Sequence, residues 1–247
     1  MDSRDNTAPP GLSIHQDLVW GFALTATACL AAAWFWQLTP AAPAIAVGLF
    51  AFIGWCVFRH WPADQDFNPA NRATLARSSL VVTLVASAPF IGHLTKGHLD
   101  AQLWTYAIVA LTALLMDGVD GALARANRCQ SRFGARFDME LDAALILGLC
   151  IAVMTLDKAG AWVLCLGLMR YAFISGSTIW HWLKHPLPDS FRRKTVCVWQ
   201  LVTLMVALLP PVSPAFAGTT LATALALLAW SFGLDIRWLH RRRFSHD

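Results

Sequence analysis

Four aspartates fall into two pairs, Asp117 with Asp120 and Asp138 with Asp142. Spacings of three and four residues put both members of a pair on one face of a helix. Four carboxylates aimed at one place repel one another unless a cation lies between them. Their oxygens suit a hard divalent cation such as Mg²⁺ or Mn²⁺. Four solvated acids in a polar loop are the plain alternative. It fits poorly, because the acids keep helical phase and Gly, Ala and Arg lie among them. Gly121, Ala124 and Gly134 stand about one turn from an acid, where small residues let a ligand or a second helix come close to the backbone.

The acids border long apolar runs, Leu103 to Met116 on one side and Ala143 to Leu156 on the other. Charges beside such runs are costly and read as functional. Across the 247 residues 57% are hydrophobic and only 14% charged. A soluble domain carries nearer a quarter charged, so the composition points to an all-α polytopic membrane protein. Eight apolar spans are expected, at about 18–37, 41–59, 77–94, 101–125, 135–156, 160–183, 195–211 and 213–236. Gln200 interrupts the seventh and Pro210-Pro211 ends it. Trp20, Trp36, Trp61, Trp104, Trp162 and Trp182 fall near span ends, where indoles favour the membrane interface.

Charge placement suggests an orientation. The stretches 59–77, 125–136, 184–194 and 237–247 carry 3, 4, 4 and 4 Lys or Arg, whereas the alternate loops carry only Lys96 and Lys158. Basic loops stay in the cytoplasm. The acidic segment and both termini are therefore expected there, in what reads as a bacterial inner (plasma) membrane. No cleavable signal peptide is expected: residues 1–17 are polar, and the apolar run after them is too long for one. The six cysteines show neither pairing nor zinc spacing and read as packing residues. No nucleic-acid partner is expected.

The full pattern is Asp117-Gly-Val-Asp120-Gly121-Ala-Leu-Ala124-Arg125, eight residues, then Gly134-Ala-Arg-Phe-Asp138-Met-Glu-Leu-Asp142. It resembles the signature of the CDP-alcohol phosphotransferase (phosphatidyltransferase) family, with every fixed position and spacing present. The resemblance implies a core of six transmembrane helices over 62–247, preceded by the polar segment 1–17 and two additional helices in 18–61, read as packing or anchoring elements.

It further implies an enzyme of phospholipid synthesis that moves a phosphatidyl group from CDP-diacylglycerol to an alcohol acceptor, releasing CMP. Asp117, Asp120, Asp138 and Asp142 would hold Mg²⁺ or Mn²⁺, with Asp142 also the general base. Asp117, Asp120, Gly121, Ala124, Arg125, Gly134 and Thr74 would bind the nucleotide. Asn71, Thr74 and Arg77 match an Asn-x2-Thr-x2-Arg element that borders the nucleotide or phosphate in the family. Here it reads as part of an interfacial helix from Asn68 to Arg77.

Arg170 lies within the sixth span, and Arg193 and Lys194 resemble a basic segment that precedes the next helix in the family. These cations favour a phosphorylated acceptor, glycerol 3-phosphate first. Inositol phosphate, serine, choline or a second lipid are the alternatives. Glu140 is expected to point away from the metal. Family members commonly pair, so a homodimer is expected. A divalent-cation transporter is the competing class, although its sites lie nearer the membrane midplane.

Overall fold

The computed structural model describes residues 10–60, 69–93, 99–126, 132–185, 187, 188 and 190–243. Side chains at 10–14, 60, 69, 70, 93, 99, 119–126, 132, 133, 184 and 243 are not described. Within those limits the chain is helical without strands. Eight α-helices follow in order: α1 Pro10–Phe35, α2 Ala41–His60, α3 Pro69–Ser87, α4 Leu99–Ala126, α5 Arg132–Thr155, α6 Leu164–Ile179, α7 Phe191–Leu208 and α8 Pro214–Arg243. Short 3-10 turns follow α3 and flank α6.

Six of the eight are long and apolar enough to cross a membrane: α1, α2, α3, α4, α6 with its preceding turn, and α8. The other two begin with clusters of charge. Arg136, Asp138, Glu140 and Asp142 occupy the first half of α5, and Arg192, Arg193 and Lys194 the first turn of α7. Their apolar parts are correspondingly short, so the expectation of eight full spans is met by helix number and not by apolar length. Large apolar side chains such as Trp34, Phe52, Ile108 and Trp230 nonetheless face outward, as lipid contact requires.

Two compact units divide the chain, 1–145 and 146–247. In the first unit α3 is the central element. Its apolar span is 67% buried, against 17% for α1 and 22% for α2. Small polar residues make this possible. Ser78, Thr83 and Ser87 donate to carbonyls three or four residues back, which gives each hydroxyl proton an acceptor within the helix. The short side chains then let α1 close in, where Thr25 donates to Ser79 at 2.9 Å and Cys29 lies 3.1 Å from Thr83. Gly21 keeps this crossing close: an added Cβ would meet the Phe50 ring at 2.9 Å and the Leu75 side chain at 3.0 Å.

Phe50 and Val57 of α2 and Leu75 and Val82 of α3 complete that core with Cys29, and Phe137 of α5 packs against it. Arg72 pairs with Asp17 at 3.1 Å. Tyr106 of α4 is fully buried and donates to the Leu84 carbonyl at 3.0 Å. Trp36, expected at the interface, is buried against Tyr106 with ring centroids 5.4 Å apart. The anticipated interfacial helix before the third span is instead the start of α3 itself. Asn71, Thr74 and Arg77 are all buried, because their face of α3 meets packed protein.

In the second unit α7 and α8 pack together along with α6. Gln200 does not break its helix. It is buried and donates to the Leu166 carbonyl of α6 at 3.0 Å, a polar link of the kind that joins helices in lipid. Gly167 is held against α5, where an added Cβ would come 2.9 Å from the Leu147 Cα. None of the described cysteines forms a disulfide.

Candidate active site

Asp117 belongs to α4, Asp138 and Asp142 to α5. The rotation of α5 follows from its neighbours. Phe137 packs on the core of the first unit and Leu141, one turn later, is buried. The next residue round the helix in each turn is an acid, so Asp138 and Asp142 lie beside the packed seam. One carboxylate oxygen from each of Asp117, Asp138 and Asp142 lies within 4.8 Å of the others. The three side chains are 33%, 36% and 41% exposed, so the cluster is open on one side.

Its other side is closed by Arg77. This side chain is 1% exposed, and its guanidinium reaches all three acids. Nη1 donates to Asp117 and, at 2.7 Å, to Asp138, while Nη2 donates to Asp142 at 2.8 Å. A planar fork with fixed donors can serve several carboxylates at once, which a lysine ammonium does with less geometric definition. Thr74 lies one turn before Arg77 on the same helix and is also buried.

The donor set fits a hard divalent cation: oxygen ligands only, converging on one place and open on one side. Asp120 lies three residues after Asp117 on α4, and Gly121, Ala124 and Arg125 follow it toward the helix end. Their side chains lie outside those described, as do the whole of Asn68 and Arg128. Gly134 is half-buried near the start of α5, and Glu140 is exposed.

The candidate acceptor residues belong to the second unit. Arg170 is half-buried on α6, and Lys194 is exposed in the first turn of α7. Arg193 donates to the Pro188 carbonyl and lies 3.7 Å from Asp235 of α8. The same Asp235 accepts from Arg192 at 2.5 Å, and Arg192 also donates to the Ser231 hydroxyl at 3.0 Å.

Sequence reasoning placed Arg77 beside a nucleotide and missed its contact with the acids. The signal was present. A charge buried in an apolar helix needs a partner, and the Asp pairs were the acids in question.

The family model described as CDP-alcohol phosphatidyltransferase matches residues 67–234. No curated protein and no solved structure matches the chain.

Proposed function

The chain belongs to the CDP-alcohol phosphatidyltransferase family, and we propose that it moves a phosphatidyl group from CDP-diacylglycerol to an alcohol, glycerol 3-phosphate first among acceptors, with release of CMP. Membership makes it a transferase of membrane lipid synthesis. The donor, the acceptor and the residue roles are our reading. The observation that supports it best is the convergence of Asp117, Asp138 and Asp142, three motif residues from two helices, within 4.8 Å.

In this reading Asp117, Asp120, Asp138 and Asp142 hold Mg²⁺ or Mn²⁺, which when bound supplies positive charge to the donor pyrophosphate. Gly121, Ala124, Arg125, Gly134 and Thr74 seat the cytidine and its phosphates together with Asp117 and Asp120. Asp142 accepts the proton of the acceptor hydroxyl. The acceptor oxygen attacks the phosphorus on the lipid side of the pyrophosphate, the bond to the CMP oxygen breaks, and CMP leaves. Arg170, Arg193 and Lys194 bind the acceptor phosphate, Arg193 exchanging its 3.7 Å contact with Asp235 for it.

The lipid tails of the donor remain in the bilayer while its head meets water. The basic loops support a site on the cytoplasmic side of a bacterial inner membrane, with both termini there. A homodimer is the proposed assembly.

The test is an acceptor screen with labelled CDP-diacylglycerol and Mn²⁺, reading CMP and the lipid product. Phosphatidylglycerophosphate formation is expected. Turnover with serine, choline or inositol phosphate alone would reassign the acceptor. Absence of CMP release with every alcohol would remove the reading.

A further inference from the structure

We propose that Arg77 is a built-in counter-cation of the carboxylate cluster, holding its acids together before a metal arrives and lowering the affinity with which one is then held. The proposal rests on the divalent-cation reading given above. It concerns a residue outside the Asp motif, placed on a different helix from every acid it touches.

Three observations carry it. First, the guanidinium touches Asp117, Asp138 and Asp142, the same three acids whose oxygens cluster within 4.8 Å. Converged acids repel, and this contact is what lets them share one place without a metal. Second, the arrangement has two sides. Arg77 is 1% exposed, whereas the acids are about a third or more exposed. The guanidinium approaches from the packed side, leaving the open side to an incoming ion. Third, the three acids share this one guanidinium, and their carboxylate oxygens on the open side still suit a hard divalent cation.

A fixed positive charge a few ångströms from that cation opposes it. Pre-arranging the ligands works the other way, by sparing the cost of bringing the acids together. The direct repulsion between a divalent ion and a guanidinium in a partly buried site is the larger effect at such distances. Arg77 is thus a positioning residue whose net action is to keep metal binding weak enough to reverse.

The variants are Arg77→Gln and Arg77→Lys, purified with Mn²⁺. Mn²⁺ affinity is read by electron paramagnetic resonance, and thermal stability is measured with Mn²⁺ and with chelator. Arg77→Gln is expected to bind Mn²⁺ at least about tenfold more tightly than the unsubstituted chain. Its melting temperature should fall in chelator and recover with Mn²⁺, giving a larger metal-induced rise than in the unsubstituted protein. Arg77→Lys keeps the charge and should lie between the two.

Unchanged or weaker Mn²⁺ binding in Arg77→Gln would overturn the proposal. So would failure of both variants to fold even at saturating Mn²⁺, which would make Arg77 an ordinary structural ion-pair residue. CMP release by the unsubstituted chain is measured separately. Normal turnover with unaltered Mn²⁺ affinity in the variants removes this proposal alone. No turnover with any alcohol removes the transfer reading and leaves the Mn²⁺ titration interpretable.

Discussion

Asp142 and Asp138 are neighbours on one helix turn, touch the same guanidinium and have similar exposure. Geometry alone therefore gives them similar surroundings, and their roles separate only in function. Asp142→Asn would remove the proposed base and keep the shape of the side chain. Transfer is expected to fall by about 10²–10⁴ with the melting temperature little changed, read as CMP release beside a thermal melt. Near-normal turnover would move the base elsewhere. Arg170→Ala is expected to raise KM for glycerol 3-phosphate more than KM for CDP-diacylglycerol. Equal changes in both would remove Arg170 from the acceptor site.

At this scale the acids were legible in the sequence, because their spacing is local and periodic. The Arg77 contacts were signalled only by a charge within an apolar helix, since the partners lie 40, 61 and 65 residues away, beyond any helical period. The Asp235 clamp on Arg192 and Arg193 was hidden for the same reason.

Among the elements, the apolar runs gave the helix number, although α5 and α7 fall short of a full apolar span and α3 starts before its expected run at 77. What the sequence reading missed was how α3 begins. Asn71 and Arg72 look like an interfacial entry, yet α3 runs on without a break from Pro69, and its polar residues are buried by neighbours. Tertiary packing, not local composition, decides that. Gln200 does interrupt the apolar run of α7, which is not among the six helices apolar enough to span, yet the helix continues because the Leu166 carbonyl accepts from it.

Close helix contacts give a sharper prediction. Gly167→Ala would place a methyl against the Leu147 Cα, backbone that cannot swing aside as a side chain end can. The change should destabilise the protein by about 1–3 kcal/mol, seen as a lowered melting temperature in detergent. Gly21→Ala should cost less, because there the obstacles are the Phe50 ring and the Leu75 side chain.

For the whole molecule, the family match begins at residue 67, after α1 and α2. Those two helices are nonetheless part of the first unit's core through Cys29, Ala46, Phe50 and Val57. Removing residues 1–60 would bare the face of α3 that carries Leu75, Ser79, Val82 and Thr83. Such a truncated chain is expected to aggregate or lose its sharp elution in detergent, and a monodisperse, active truncation would show that α1 and α2 are dispensable. Sequence could place two extra helices but not this dependence, which exists only once Thr25 meets Ser79 and Phe50 fills the space beside Gly21.

The three-way grip of Arg77 has a practical consequence for every experiment on the motif. Neutralising any single aspartate still leaves the guanidinium tied to two others, so no lone substitution strips the buried cation of all its anchors. Tolerance of this kind means that an inert Asp→Asn variant reports lost chemistry rather than a collapsed scaffold.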